Sequence, residues 1–348
     1  MEKYVTLDRS NPDLQVHLLG EPTKNIRAIP VRSMNVNSQN EKVTFQLLPI
    51  SELKRPPLFL VLLQVIRSDL LPLTLIPATA ILMLFRTRLV QIDLALWALA
   101  SLFFLHGAIF CRNDFIDHMR GVDRVNEKGG SRVIQRGWLL ASTVQKIYWV
   151  MGFVSLLFAA PVFWIFPELL ALACVVALAG VYGYSQSRWG RGHWFFSSLA
   201  IFLCLGPLLT AGMSYAMAKS FELSTLLVGV YFGGLALLYT ELRHTISMVV
   251  DHEAGLSTLP VKLGFDHTKK ALFVIVLLSL FSIIALVSAL YPGPQSLVAL
   301  PLVAWLTFLA KKIVYIQSPL SSALYDLPQE VCFIHLVSGL FLIAMTFL

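Results

Sequence analysis

Long apolar runs, separated by short polar breaks, recur along the chain from about residue 57 to its C-terminus. A helix needs about 20 mostly apolar residues to cross a bilayer. Runs of that length predict nine transmembrane helices, over residues 58–85, 94–112, 142–164, 167–185, 193–215, 223–250, 270–290, 295–314 and 329–348. We therefore expect an all-α, polytopic membrane protein whose membrane domain covers residues 56–348.

The N-terminal segment, residues 1–55, follows another pattern. It is polar, with scattered Asn, Ser and Pro residues, and no periodic apolar face is recognisable in it. Its start, from Met1 to Tyr4, lacks the apolar stretch of a cleaved signal peptide. We expect a cytoplasmic tail that is disordered or only loosely docked.

The composition supports a membrane protein and argues against nucleic-acid binding. Hydrophobic residues make up 57% of the chain and charged residues 14%, whereas a soluble domain has about 25% charged residues. The formal net charge is +7, but the basic residues lie between apolar runs, and no nucleic-acid-binding motif accompanies them. Basic loops between spans are typical of the cytoplasmic side of a membrane protein.

The loops predict the orientation of the spans. The predicted spans divide the loops between the two sides of the membrane. The side that holds the loop after the second span carries thirteen Lys and Arg residues, and the opposite side carries three. Because positive loops stay in the cytoplasm, we expect that loop and the N-terminus to face the cytoplasm, with the protein in the cell inner membrane.

The cysteines indicate neither a metal site nor a disulfide framework. Cys111, Cys174, Cys204 and Cys332 are scattered, and no C-x-x-C pair or Cys/His cluster is present. Cysteines in such positions are typically small buried hydrophobic residues.

The first candidate site lies at the end of the second predicted span. This site contains Asn113, Asp114, Asp117 and Asp123, so that three carboxylates fall within ten residues. Asp114 and Asp117 share a face if the segment is helical, and hard oxygen ligands suit Mg²⁺ together with substrate phosphates. Carboxylates at a membrane helix usually mark a functional site, here one for a lipid diphosphate. The alternative is a helix cap followed by a solvated loop.

The second candidate site lies at the end of the sixth predicted span. Glu241, His244, Ser247 or Met248, and Asp251 are spaced to form one polar stripe on a single helix. Such a stripe faces a bundle interior or a cavity. The alternative is a structural network within the membrane that is formed by Glu241, Arg243 and His244.

Basic residues accompany both acidic segments. Arg side chains bind phosphate in a bidentate manner, and we expect a subset of the basic residues to bind phosphate. The alternative for each single residue is that it only sets the orientation of the spans in the membrane. The residues are Arg132, Arg136, Arg188, Arg191 and Lys262. Two acidic helix ends with a basic rim indicate a diphosphate site that opens into an apolar bundle.

These motifs resemble the UbiA superfamily of intramembrane prenyltransferases. The run from Gly129 to Gln135, Gly-Gly-Ser-Arg-Val-Ile-Gln, is most similar to the 1,4-dihydroxy-2-naphthoate polyprenyltransferases of menaquinone synthesis. Further similarities, between residues 67 and 264, are Arg67 with Leu70 and Pro72, Gly206-Pro207 with Gly212 and Tyr215, and Asp251 through Gly255 to Gly264.

The resemblance implies a helical bundle around a central cavity in which Mg²⁺ ions bridge the diphosphate of a polyprenyl donor. An aromatic acceptor would then attack the prenyl carbon. Asp114, Asp117 and Asp251 would be the catalytic residues. The implied metal ligands are Asn113, Asp114, Asp117, Asp123 and Asp251, with Glu241 as a candidate, and the implied donor-binding residues are Asn113, Arg132, Arg188, Lys262 and Tyr182.

The chain departs from the family pattern at Ser247, where the second motif normally has an aspartate. Ser is a far weaker Mg²⁺ ligand than a carboxylate, so either Glu241 or His244 compensates or the second metal site is altered. This departure keeps two alternatives open. One is an intramembrane terpene cyclase that needs no acceptor, with aromatic residues such as Tyr182 stabilising the cation. The other is a transporter or a degenerate homologue without catalysis.

Overall fold

The computed structural model describes residues 3–20, 22–36, 38–88, 92–126, 129–178 and 194–347. The described chain forms two compact units. The first comprises Met1–Asp69, Phe104–Val154 and Val249–Leu256, and the second comprises Leu70–Phe103, Ser155–Met248 and Ser257–Leu348.

Helices make up most of the described chain. In chain order they are α1 (Asp13–Leu19), α2 (Leu58–Val65), α3 (Leu71–Leu84), α4 (Ile92–Met119), α5 (Val122–Val125), α6 (Ala141–Ile165), α7 (Glu168–Leu178), α8 (Trp194–Cys204), α9 (Pro207–Ala218), α10 (Leu223–Ile246), α11 (Met248–Glu253), α12 (Leu259–Leu263), α13 (Phe265–Leu290), α14 (Leu300–Tyr315), α15 (Ser322–Tyr325) and α16 (Leu327–Met345). Short 3₁₀ turns lie at Ile50–Glu52, Ser68–Leu70, Arg86–Arg88 and Pro294–Ala299.

Seven of these helical segments are long and apolar enough to cross a membrane. They are Ile92–Met119, Ala141–Ile165, Trp194–Ala218, Leu223–Ile246, Phe265–Leu290, Pro294–Tyr315 and Ser322–Met345. The pair Leu58–Val65 and Ser68–Leu84 makes an eighth if it is counted as one broken span. The chain is thus an integral membrane protein, but nine spans are not confirmed within the described ranges. The span predicted over 167–185 is represented there by α7, which has 11 residues.

The first unit contains a sheet that corrects the all-α prediction. Strands β1 (Lys3–Asp8), β2 (Ile26–Met34) and β3 (Lys42–Pro49) form an antiparallel sheet in the order β1-β3-β2. Side chains of the sheet, of α1 and of the end of α4 form a small core. Its members are Leu7, Leu14, Leu18, Ala28, Val43 and Phe45, with Met119 packed against them. We call residues 3–49 the N-terminal β module.

The structure has this folded module where the sequence analysis expected a disordered or loosely docked tail. Buried Val43 and Phe45 alternate with less buried neighbours along β3, which is the period-2 pattern of a half-buried strand. The pattern spans too few residues to stand out from a polar segment, so sequence reasoning missed it. The division of the chain at residues 55 and 56 stays a prediction.

The second unit is built around α10, which packs against α8, α9, α13 and α16. The break between α8 and α9 falls at Gly206, directly before Pro207. A Cβ atom at Gly206 would overlap the backbone of Gly229 and Gly233 on α10, so glycine permits the close approach of these helices. The hydroxyls of Tyr231 on α10 and Ser338 on α16 lie 2.6 Å apart in the buried core.

Candidate active site

Helix α4 carries Asn113, Asp114 and Asp117 of the first candidate site inside its last two turns, whereas Asp123 lies on α5. The sequence placed this site after the end of a span, but the helix continues to Met119. Asn113, Asp114 and Asp117 are all buried, with 2–4% of each residue exposed. The Asn113 side-chain Nδ2 donates a hydrogen bond of 3.0 Å to Asp117 Oδ2. The predicted shared face is therefore confirmed, and it is buried instead of solvated.

Asp114 is held by two partners from different segments of the first unit. Its Oδ1 atom lies 3.1 Å from Nη2 of Arg67, and its Oδ2 atom accepts a hydrogen bond of 3.0 Å from the backbone N–H of Ser131. Charge-assisted hydrogen bonds of this kind fix the orientation of a buried carboxylate.

Arg67 was noted in the sequence only as part of the family resemblance, and its place in this site was not predicted. It adopts a left-handed conformation with φ of 50°, which is uncommon for a residue with a side chain. Its carbonyl lies 3.3 Å from Nε2 of His106, and its guanidinium lies 5.4 Å from the ring centroid of Phe110. His106, Phe110 and Asp114 are spaced by four residues along α4, so one face of this helix holds the arginine. The only signal in the sequence was the resemblance of Arg67, Leu70 and Pro72 to the family pattern.

The loop after α4 folds around Asp123, which is buried in α5. A Cβ atom at Gly130 would lie 2.5 Å from Asp123 Oδ2, so the carboxylate lies against the glycine backbone. Arg132 has φ of 65°, and its Nη1 atom donates to the carbonyls of Asp123 and of Asn126, the latter at 2.9 Å. These contacts fasten the loop that presents the Ser131 N–H group to Asp114.

The second polar segment is not one continuous helix, which corrects the predicted stripe. Helix α10 ends at Ile246, and α11 begins at Met248. Ser247 lies between them, and its Oγ atom donates to the Arg243 carbonyl at 3.2 Å. Asp251, on α11, is buried and belongs to the first compact unit.

Glu241 lies in the second unit and is almost fully buried, with 1% of the residue exposed. Its Oε1 atom accepts a hydrogen bond of 2.6 Å from the Ser198 hydroxyl. Its Oε2 atom lies 3.3 Å from Nδ1 of His244. The contact with His244 is one that the alternative interpretation, a structural network within the membrane, includes, whereas the contact with Ser198 was not predicted.

The remaining candidates are spread over both units or fall outside the described chain. Lys262 lies on α12 in the second unit and is exposed. Tyr182 and Arg188 fall in residues 179–193, outside the described residues.

The donor atoms on α4 fit a hard divalent cation. Within the described ranges, no three His, Cys, Asp or Glu side chains form a ready-made metal cluster. Mg²⁺, however, typically takes one or two protein carboxylates together with substrate phosphates. Asp114 and Asp117 supply that number, and the Asn113 amide adds a third oxygen beside them. The chemistry of this donor set therefore fits Mg²⁺.

Several solved structures resemble the fold. The structure of a UbiA homolog from Archaeoglobus fulgidus bound to GPP and Mg²⁺ is 16% identical, with a TM-score of 0.58, and covers 82% of this chain and 99% of its own. An apo UbiA homolog from Aeropyrum pernix K1 is also 16% identical, with a TM-score of 0.61 and coverages of 79% and 98%. A digeranylgeranylglyceryl phosphate synthase is 15% identical, with a TM-score of 0.57 and coverages of 83% and 98%. At such identities the likeness concerns the fold alone.

Sequence similarity to a protein family also covers most of the chain. No curated protein matches the chain. Residues 74–326, however, match the UbiA prenyltransferase family. This match covers well over half of the 348 residues and includes Asn113, Asp114, Asp117 and Asp251. The chain therefore belongs to the UbiA prenyltransferase family.

Proposed function

We propose that this protein transfers a prenyl group from a polyprenyl diphosphate to an aromatic acceptor within the membrane, and that the reaction depends on Mg²⁺. The observation that carries the proposal is the buried set of Asn113, Asp114 and Asp117 at the end of a membrane-spanning helix. Related structures of this fold are bound to GPP and Mg²⁺ or to DMAPP and Mg²⁺, which supports a prenyl diphosphate as the donor.

The residues of the first unit have distinct roles in this proposal. Asn113, Asp114 and Asp117 would hold Mg²⁺, which when bound neutralises the diphosphate and stabilises it as a leaving group. Asp114 would then exchange its contacts with Arg67 and with the Ser131 N–H group for the cation. The Arg67 backbone carbonyl lies beside His106, and its guanidinium lies over the Phe110 ring. The guanidinium would be released to the anionic end of the donor, where arginine binds phosphate oxygens well.

The loop that contains Ser131 would bind the donor from a second direction. Its backbone N–H already donates to a carboxylate oxygen, and the left-handed residues Gly130 and Arg132 flank it. Successive N–H groups in such turns form anion-binding concavities. Arg132 and Asp123 hold this turn together, and we propose that Arg132 also contributes charge to the diphosphate and that Asp123 remains close to the metal.

The second acidic segment would serve a second cation. Asp251 is the proposed ligand. Glu241 is proposed to supply the carboxylate that is missing at position 247, where this chain has Ser247 instead of an aspartate. Ligating carboxylates are commonly oriented by further hydrogen bonds, and the Ser198 hydroxyl and His244 provide such bonds to Glu241. The same bonds also suit a purely structural network, which is the alternative. Arg188, Lys262 and Tyr182 remain proposed contacts of the donor.

The membrane position of the site completes the proposal. A closed apolar pocket within the bundle would keep water away from the allylic cation, which water would otherwise quench. The distribution of Lys and Arg over the loops supports a site that faces the cytoplasm in the cell inner membrane.

The acceptor is the finer part of the proposal. The similarity of residues 129–135 to naphthoate prenyltransferases supports 1,4-dihydroxy-2-naphthoate, and thus menaquinone synthesis. The departure at Ser247 supports, as the alternative, a terpene cyclase that uses the double bonds of the donor itself.

Product analysis tests both forms of the proposal. Purified protein in nanodiscs is incubated with Mg²⁺ and geranyl, farnesyl or geranylgeranyl diphosphate, with and without 1,4-dihydroxy-2-naphthoate. A prenylated aromatic formed only with the acceptor supports the transferase. A cyclic hydrocarbon or terpene alcohol formed without it contradicts the transferase and supports the cyclase. No diphosphate release with any donor contradicts both.

A further inference from the structure

The N-terminal β module packs along the segment that joins α4 to α6, residues 120–140, which we call the α4–α6 loop. Val36 contacts Gly121, Ile29 contacts Gly137, and Gly20 contacts Leu140, because Cβ atoms built on these glycines would lie 2.8–3.1 Å from those side chains. The module therefore contacts described parts of this loop near its beginning and near its end.

A buried ion pair fastens the module to the start of the loop. Arg124 Nη2 contacts Glu41 Oε1, and the two side chains are 2% and 7% exposed. The same guanidinium donates through Nε to Ser33 Oγ at 3.0 Å and through Nη1 to the His118 carbonyl at 2.8 Å. Arg124 thus joins β2, the residue before β3 and the end of α4.

Burial makes this pair sensitive to loss of either charge. Burial lowers the pKa of the Arg124 guanidinium, whereas the neighbouring Glu41 carboxylate opposes that shift. Removing one partner of a buried pair leaves the other charge uncompensated, which is strongly unfavourable.

A second connection runs through His118. Its Nε2 atom lies 2.8 Å from the Leu18 carbonyl at the end of α1, and its Nδ1 atom lies 3.3 Å from Nε2 of Gln135 in the loop. One imidazole therefore links the module, helix α4 and the later part of the loop.

The same loop contacts the acidic site through other atoms. The Ser131 N–H group donates to Asp114, and the loop keeps Arg132 in a left-handed conformation. Such a conformation is unfavourable for a non-glycine residue and persists only where surrounding contacts impose it. The module supplies such contacts to the loop.

We propose that the N-terminal β module is a positioning element for the donor site and that Glu41 and Arg124 are positioning residues for the diphosphate. By this inference the module holds the α4–α6 loop so that the Ser131 N–H group meets the diphosphate in a fixed orientation. The inference rests on the proposed function, and it concerns a module that precedes the family match, which begins at residue 74.

The test compares Glu41→Gln with Arg9→Gln in the full-length protein in nanodiscs. Arg9 is the matched control because it approaches the same carboxylate at 3.9 Å but is 53% exposed. Hydrogen exchange of amides in residues 129–140 is measured without substrate. The affinity for inorganic diphosphate with Mg²⁺ and the KM values for geranyl diphosphate and 1,4-dihydroxy-2-naphthoate are then determined.

We expect Glu41→Gln to speed exchange in residues 129–140, to weaken diphosphate binding and to raise the donor KM by about tenfold or more, since small misplacement of positioning groups has effects of that order. The acceptor KM should stay unchanged, and Arg9→Gln should resemble the wild type. A merely structural loss would lower the active fraction and leave both KM values unchanged, and this result would overturn the inference.

Two further outcomes are informative. If Glu41→Gln does not fold, Ser33→Ala is the second variant, because it removes only one hydrogen bond of Arg124. Ser33→Ala should give the same changes in smaller measure, and wild-type exchange and KM values in this variant would overturn the inference.

A wild type that neither binds diphosphate nor turns over contradicts the proposed function. The exchange measurement needs no substrate, so faster exchange in residues 129–140 would still support the positioning of the loop, and unchanged exchange would overturn it.

Discussion

At the residue scale, the site rests on carboxylates that are buried near the end of a membrane helix and oriented by specific partners. Asp114 is bound by Arg67 and by the Ser131 N–H group, and Asp117 is bound by Asn113. Buried charges are costly unless they are paired or coordinate a metal. A cation that joins Asp114 and Asp117 would therefore stabilise the arrangement as well as serve the chemistry.

Neutralising Asp117 tests the metal assignment. Asp117→Asn keeps the size of the side chain but removes its charge, so we expect Mg²⁺-dependent turnover to fall at least about a hundredfold, as for the loss of an electrostatic catalytic group. The fold should persist in size-exclusion and thermal-unfolding measurements. Asp266→Asn is the matched control, because the Asp266 side chain is 83% exposed. Normal turnover in Asp117→Asn would show that the metal assignment is wrong.

Glu241→Gln tests the proposed compensation for Ser247. The neutral side chain still accepts from Ser198 but is a weaker Mg²⁺ ligand, so we expect the Mg²⁺ concentration for half-maximal turnover to rise. Titration of activity with Mg²⁺ measures this directly. An unchanged half-maximal concentration together with a lower melting temperature would instead assign Glu241 to a structural network.

At the scale of elements, the α4–α6 loop brings the turn at Gly129 and Gly130 next to the end of α4, which carries Asp114. Asp123 lies against the backbone of Gly129 and Gly130, and Arg132 donates to the carbonyls of Asp123 and Asn126, which precede these glycines. The geometry of the site thus depends on a turn in which position 130 requires a glycine.

Gly130→Ala tests this dependence. The new Cβ would lie 2.5 Å from Asp123 Oδ2, and Gly130 has φ of +61°, so strain and overlap act together. Gly255→Ala is the control, since Gly255 has φ of +69° and a Cβ there would meet no atom within 4 Å. The control should lose about 1–2 kcal/mol of unfolding free energy from its backbone conformation.

Gly130→Ala should lose more stability than the control, and its donor KM should rise. Thermal unfolding and steady-state kinetics of the two variants measure these effects. Equal losses in both variants, with an unchanged donor KM, would contradict the proposed role of the turn.

At the scale of the whole molecule, local patterns predicted what depends on neighbouring residues in the chain. The long apolar runs gave most of the spans, and the spacing of Asp114 and Asp117 gave their common helical face. The contact between Arg67 and Asp114 could not be predicted, because it joins residues 47 positions apart through an unusual backbone conformation. The break at Ser247 was hidden because a serine fits a helix as well as it fits a break stabilised by its own hydroxyl.

The N-terminal β module shows a different limit of sequence reasoning. Its core is small and includes Met119 from the end of α4, so its stability depends on a residue far along the chain. Short alternating strands in a polar segment give little signal before that partner is known. The family resemblance did not help, since the family match begins after the module.

The most direct test of the central claim is the binding of geranyl diphosphate to the purified protein by calorimetry, with Mg²⁺ and then with the metal removed by a chelator. We predict saturable binding that requires Mg²⁺ and that is lost or greatly weakened in Asp114→Asn. Equal binding with and without Mg²⁺, or unchanged binding in Asp114→Asn, would contradict the account, because the carboxylates of α4 would then have no part in holding the diphosphate.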